Sequence, residues 1–299
     1  MVKMSKKEHR GDRKDGVWLR DLDSLHTFLP YLYPNRTDNE AFIRVSIDLT
    51  AVDAYLDHKN STIDTPVPYK MFHLLLTALA KAVTLRPKMN RFIQGDRIYQ
   101  RNDLTAAFMV KKQFTDDSDE AMAFIKFAPE DTIDTVHERL VKEITTCRGD
   151  QLDNSTASFD SLCRLPRWMI RIIMGGARRL NYHGHMPDSM IKTDPNHSTI
   201  FATNLGSIGL QAGYHHLSNF GTNSIFLIVG KAEKKPVLMM DGSVEVRHML
   251  EIGLTIDERI ADGFYYAGTV KLVQHLMAHP ELLDQPLSTP VELPEKAKA

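Results

Sequence analysis

The sequence predicts one α/β domain with a mixed sheet and helices, and three observations predict it. Residues 41–50 alternate, with Ile43, Val45, Ile47 and Leu49 on one side and Arg44, Ser46 and Asp48 on the other, the period of a half-buried strand. Residues 69–85 form a long apolar run opened by Pro68 and closed by Arg86-Pro87, the signature of a buried helix, since proline disfavours helical geometry in the residue before it. From Ser198 onward the pattern returns to strands. The 299 residues carry no internal repeat and no linker-like tract, so one core is the economical expectation.

The elements follow in order. Thr50 with Asp53 three positions on reads as a capping box opening a short helix. Strands are expected at 104–111 and 121–127. A helix is expected over 131–146, where Ile133, Val136, Leu140, Val141 and Ile144 recur at helical spacing. Residues 149–159 are polar and turn-rich. Residues 164–180 then set Leu165, Trp168, Met169, Ile172, Ile173 and Leu180 along one stripe, against Arg164, Arg167, Arg171 and Arg178. The Gly175-Gly176 pair weakens this helix. Its stripe is expected to dock on the domain's own core, with a membrane surface as the lesser alternative. Strands are expected at 199–204, 224–231, 236–240 and 244–256. Asp241-Gly242 marks a hairpin with a type I′ turn, which needs positive φ. A last helix spans 265–278. Residues 1–22, rich in Lys and Arg, read as a flexible basic tail, and 291–299 as a second tail.

Composition removes several classes of function. With 37 Lys+Arg against 38 Asp+Glu and a net charge of -1, no cationic excess is present to neutralise a run of phosphates, so a nucleic-acid partner is not expected. Cys147 and Cys163 cannot build a disulfide framework or a Cys-x-x-Cys site. His183-Gly184-His185 lacks a carboxylate or cysteine at ligand spacing, so no metal is expected. Gly206-Ser207-Ile208-Gly209 lacks the lysine and third glycine of a phosphate-cradling loop. No apolar run is long enough to span a bilayer and no signal peptide precedes the domain, which makes a cytoplasmic location the expectation.

The C-terminal third carries the chemistry. Thr203-Asn204-Leu205-Gly206-Ser207-Ile208-Gly209, the hairpin of 236–247, Leu254-Thr255-Ile256-Asp257-Glu258-Arg259-Ile260-Ala261-Asp262-Gly263 and a helix ending at His279-Pro280-Glu281-Leu282-Leu283 come in one order. In that order they resemble the catalytic domain of the 2-oxoacid dehydrogenase dihydrolipoyl acyltransferases, a fold shared with chloramphenicol acetyltransferase. Upstream, the strand at 41–50, Arg86-Pro87-Lys88-Met89-Asn90 and Gly95-Asp96-Arg97-Ile98 also fit. The resemblance covers about 23–285, within a domain placed at 23–290, with 149–197 as an insertion longer than the family usually carries. It implies a two-layer α/β sandwich, a homotrimer with active sites between subunits, and coenzyme A or an acyl-coenzyme A as cosubstrate. Oligomerisation also has a compositional argument in Met239-Met240 and Phe264-Tyr265-Tyr266.

The family pattern Asp-His-Arg-x-x-Asp-Gly implies a histidine base, and a hydroxyl before Asn-Leu-Gly implies the oxyanion donor. Asp257, Arg259, Asp262 and Gly263 match, and Thr203 takes the hydroxyl position. The histidine position holds Glu258. A glutamate with an ordinary pKa of about 4.3 is a poor base toward a thiol, against about 6.5 for histidine, so Glu258 would need burial or a neighbouring charge to serve. His215 and His216 lie in the segment Tyr214–Thr222, in place of the loop that lines the neighbouring subunit's site in that family. They offer a replacement imidazole, with Glu258 as the group that orients one of them.

Two functions stand. The first is a stand-alone coenzyme A-dependent acyltransferase, acting on a small-molecule acceptor or a separate carrier protein, with Thr203, Glu258, His215, His216 and Asp262 as site residues. The second is a catalytically silent relative that binds a ligand or serves as a trimeric scaffold. The first strand begins near residue 41, so no covalent lipoyl group or carrier domain is expected ahead of the core.

Overall fold

The computed structural model describes residues 10–111, 120–149 and 162–293. The alternating strand expected at 41–50 forms as β2 (Glu40–Asp48), and Val45 and Ile47 enter the core as their period requires. Helix α1 (Ser24–Leu32) precedes it and α2 (Thr50–Thr62) follows. The capping box at Thr50 is corrected: Asp48 Oδ1 accepts from both the Thr50 N–H (2.9 Å) and its hydroxyl (2.6 Å), while Asp53 turns away to His248. The buried helix α3 (Met71–Leu85) ends before Pro87 as expected. It is enclosed from His73 to Val83, Lys81 included. That ammonium escapes an unpaired burial by donating to the carbonyls of Leu282 (2.9 Å), Gln285 (3.3 Å) and Pro286 (2.8 Å).

The rest of the chain completes two sheets. Strands β1 (Gly16–Trp18), β3 (Arg91–Gln94) and β4 (Arg97–Arg101) make a three-stranded antiparallel sheet in the order β1-β4-β3. The large sheet adds β5 (Leu104–Lys111), β6 (Glu120–Phe127), β7 (Ile200–Asn204), β8 (Ile225–Val229), β9 (Glu233–Leu238) and β10 (Val244–Asp257) to β2. Its order is β2-β10-β8-β7-β5-β6, with β9 paired to the outer half of β10. The pairs β5–β7 and β7–β8 are parallel, so the sheet is mixed. Helices α2, α3, α4 (Ile133–Arg148) and α7 (Gly263–Ala278) cover one face and share a continuous apolar core with it. The other face carries a smaller cluster of Leu217, Phe226 and Ile228 with Phe201 and Leu205. β8 is buried along its whole length because its alternate residues serve the two clusters.

Three further expectations are corrected. The flexible tail through residue 22 is not what the described part shows, because Arg13 is buried, pairs with Asp15 (2.7 Å) and donates to the Asn181 side chain (3.2 Å) and carbonyl. That guanidinium ties the N-terminal segment to α5 (Arg167–Tyr182). The hairpin at Asp241-Gly242 is real but not type I′: only Gly242 has positive φ (87°). The Gly242 N–H bonds the Met239 carbonyl (3.0 Å) and the Met239 N–H the Ser243 carbonyl (2.8 Å), a three-residue loop closed by a left-handed glycine. A two-residue turn with positive φ at both positions joins β3 to β4 instead, at Gly95 (59°) and Asp96 (60°). The third correction concerns α5. It continues through Gly175-Gly176, yet Trp168, Ile172, Ile173 and Leu180 of its stripe stand exposed. The face that docks holds Ala177 and Asn181, on which Arg13 and His197 converge.

The helix α6 (Asp188–Thr193) leads back to β7. Of the residues expected to associate subunits, Met240 and Phe264 are exposed while Met239, Tyr265 and Tyr266 are half-buried. The tail of 291–299 and the turn-rich segment 149–159 lie largely outside the described residues. No helix among the described residues is long and apolar enough to cross a membrane.

Candidate active site

The family-like turn begins where β10 ends. Asp257 and Arg259, both buried, form a bidentate pair with Nε to Oδ1 and Nη2 to Oδ2 at 2.7 Å each, and Arg259 Nη1 donates to the Tyr33 carbonyl (2.6 Å). This fork fixes the direction in which the chain leaves the sheet. Asp262 then caps α7, accepting from the Tyr265 N–H (2.9 Å), a bond that also holds its carboxyl below the usual range. Between them, half-buried Glu258 accepts from the Tyr266 hydroxyl (3.0 Å), and its own N–H donates to the Asn39 carbonyl (3.0 Å). Burial and the Glu258 carboxylate together push the Tyr266 hydroxyl up, which keeps it protonated as the donor.

The histidine loop reaches the same end of the sheet by another route. It crosses β10 at Gly253, where a Cβ would overlap the Gly213 carbonyl oxygen. Beyond the crossing each side chain finds a strand beneath it: Tyr214 meets Phe42 edge-on (5.4 Å), His215 stacks on Phe226 (4.4 Å) and His216 meets both Phe42 and Glu40. Arg36 secures the far side of the loop, its backbone N–H donating to the Asn219 side chain (2.9 Å) and its guanidinium to the Ser218 carbonyl (3.3 Å).

The contact of His216 with Glu40 is the notable geometry. His216 Nδ1 lies 2.6 Å from Glu40 Oε2, and Glu40 Oε1 accepts from the Leu217 N–H (2.5 Å). The carboxylate is 2% exposed and the imidazole 74%. A buried acid thus holds one ring nitrogen while the other is free toward solvent, the arrangement that orients a catalytic imidazole. Glu40 is paired in register with Asp257, so this dyad stands one residue across from Glu258. His215 Nδ1 instead contacts the His216 carbonyl (2.7 Å).

The expected partnership of a loop histidine with Glu258 is one between subunits; within one chain Glu258 is engaged by Tyr266, and the carboxylate on His216 is Glu40. Glu40 went unread in the sequence because it sits just ahead of the alternating run. Continuing that run backwards puts it on the side of Phe42 and Arg44, but no local pattern announces a partner 176 positions away. Thr203 pairs with Ile228, and the sheet face of Thr203 carries Phe201, whose ring lies 4.8 Å from Phe226. That is the face the histidine loop covers. Asp257 bonds the Ser224 carbonyl, four positions from Ile228 along β8, a distance of roughly 13 Å. Thr203 and Glu258 accordingly lie at opposite ends of the sheet and do not meet within one chain. Among the described residues no group of three His, Cys, Asp or Glu side chains is disposed to hold a metal ion.

Comparisons with known proteins agree with this architecture. The family model described as 2-oxoacid dehydrogenases acyltransferase (catalytic domain) matches residues 187–284, which contain Thr203, both loop histidines and the turn at 257–263. A curated relative, the lipoamide acyltransferase component of the branched-chain alpha-keto acid dehydrogenase complex of Bacillus subtilis (strain 168), is 26% identical over 241 residues. That alignment takes 78% of this chain and 46% of the relative, so the chain spans about half the relative's length. The solved structure of a probable dihydrolipoamide acetyltransferase from Listeria monocytogenes 4b F2365 superimposes with a TM-score of 0.58 at 17% identity, covering 88% of this chain and 95% of that one. A chloramphenicol acetyltransferase superimposes at 0.53 with 13% identity, covering 85% and 94%. The chain therefore has the chloramphenicol acetyltransferase-like fold and carries, in residues 187–284, the signature of the 2-oxoacid dehydrogenase acyltransferase catalytic domain.

Proposed function

We propose that the chain is a coenzyme A-dependent acyltransferase, assembled as a homotrimer, whose general base is His216 oriented by Glu40. The observation that carries this reading is the 2.6 Å contact between a solvent-facing imidazole and a buried carboxylate. Glu258 is the weaker candidate, because its carboxylate already accepts from Tyr266. In the proposed reaction His216 Nε2 takes the proton of the attacking thiol, which adds to the acyl carbonyl of the donor. Thr203, from a neighbouring subunit, donates its hydroxyl to the tetrahedral oxyanion. Collapse breaks the bond to the departing thiolate, and the imidazolium returns the proton to it. Charge and atoms balance without an oxidant or a metal.

Acyl transfer from acetyl-coenzyme A to dihydrolipoamide, the acceptor class that the relatives' names suggest, tests the reading. His216→Asn and Glu40→Gln are each expected to lower kcat by at least about a hundredfold, as loss of a base or of the group that orients it does. Thr203→Val is expected to lower it by about ten- to a thousandfold. Glu258→Gln should stay within a few-fold of wild type, and light scattering should give three times the 34.0 kDa chain mass. Abolition by Glu258→Gln with an indifferent His216→Asn would return the base to the family position. Absence of transfer to any thiol or amine, with coenzyme A failing to raise the melting temperature, would favour the silent scaffold.

A further inference from the structure

We infer that α5 is a peripheral docking element for an anionic phospholipid surface. The segment 162–187 contains five arginines (Arg164, Arg167, Arg171, Arg178 and Arg179) and no acidic residue. None of those arginines forms an ion pair among the described residues, whereas Arg20, Arg44, Arg139 and Arg247 elsewhere on the surface each do. Beside this cationic side runs an apolar one that the domain leaves uncovered: Trp168 is 63% exposed and Ile172 66%, and Ile173 and Leu180 continue the same stripe. A Cβ at Gly175 or Gly176 would meet nothing, so that part of the helix also stands clear of the fold.

The helix is nevertheless firmly held. Asn181 receives Arg13 and His197, and the Tyr182 hydroxyl donates to Asp96 Oδ2 (2.9 Å) in the β3–β4 turn. The exposed stripe is thus a fixed surface rather than a frayed end. α1 packs on β4 of the same hairpin and leaves Leu25, Phe28, Tyr31 and Leu32 exposed, so the apolar surface extends beyond one helix. At 16 residues α5 is about 24 Å long and arginine-sided, which suits lying in the headgroup region and not crossing the bilayer. Charge complementarity selects the partner: clustered, unpaired arginines beside Trp and Ile match lipid phosphates above acyl chains. This inference is independent of the acyl-transfer reading.

Co-sedimentation of the full chain with large unilamellar vesicles tests it. Binding is expected to 70:30 phosphatidylcholine:phosphatidylglycerol vesicles in 0.1 M salt, and to weaken at least about tenfold on pure phosphatidylcholine or in 0.5 M salt. The exposed double variant Trp168→Ser/Ile172→Ser should bind at least about tenfold more weakly, with the wild-type melting temperature and oligomeric mass, because neither side chain is buried in the fold. Failure of the wild type to bind anionic vesicles overturns the inference. So does unaltered binding by the variant, and so does a change in its oligomeric mass, which would identify a second copy of the chain as the cover of the stripe.

Discussion

The turn at 257–263 and the loop at 213–217 lie at the same end of the sheet and hold their charges in opposite ways. In the turn both members of the charged pair, Asp257 and Arg259, are enclosed, and every contact of the guanidinium is made within the fold. In the loop only the carboxylate of Glu40 is enclosed, and its imidazole partner faces water. A pair buried on both sides can direct the chain but cannot exchange a proton with a substrate. A pair buried on one side can do the second. The family-like turn serves here as architecture, while the one-sided pair lies beside it, where the loop meets β2.

The comparison breaks most severely at Arg259. Arg259→Leu leaves the Asp257 carboxylate buried without its counter-charge and is expected to cost about 3–5 kcal/mol of stability in urea unfolding. Glu40→Gln keeps the shape and an oxygen for the Leu217 N–H, and is expected to cost about 1 kcal/mol. Equal losses from the two would erase the distinction between frame and site.

The crossing at Gly253 sharpens it next. A methyl there must displace backbone at Gly213, not the tip of a side chain, so Gly253→Ala is expected to cost about 3 kcal/mol, the upper end for overpacking. Since the displaced segment leads directly to His216, acyl transfer should fall with stability. If unfolding free energy drops while activity holds, His216 does not depend on the crossing and its role as base is in question.

Much of this frame was legible in the sequence. Period two at 41–50 and the Pro-bounded apolar run at 69–85 are strong local signals, and both elements formed within about two residues of expectation. The collinear motifs of the C-terminal third likewise located β7, β10 and α7. What stayed hidden was non-local. The pairing of Glu40 with His216 rests on β2 lying beside β10, and the enclosure of Arg13 on a helix 168 positions away. The docking of α5 was misread because a hydrophobic stripe shows which residues share a helix face, but not which face the remaining molecule occupies. Its docked side is led by Ala177 and Asn181, neither of which is conspicuous by hydrophobicity.

The comparison also separates two responses to acid. Beneath the helical layer the Nδ1 atoms of His73 and His137 are 3.0 Å apart, Tyr69 stacks on the His137 ring at 4.0 Å, and the Lys70 N–H donates to His73 Nδ1 (3.2 Å). Burial first, and then the neighbouring His137 and Lys70, depress His73 to about 3, whereas in the unfolded chain it returns to about 6.5. His137 is lowered too, mainly by burial and against the pull of Asp134 and Glu138. Because the unfolded state binds the proton more readily, stability is intact above about pH 6.5 and is lost as pH falls from there toward 3. His73 alone accounts for about 2 kcal/mol of loss by pH 5, and urea unfolding of His73→Asn should show a correspondingly flatter pH dependence. His216 stands on the other face of the sheet, away from this pair, and His216→Asn should abolish turnover. An unchanged stability profile in His73→Asn would mean that the enclosure of that ring does not couple its protonation to folding.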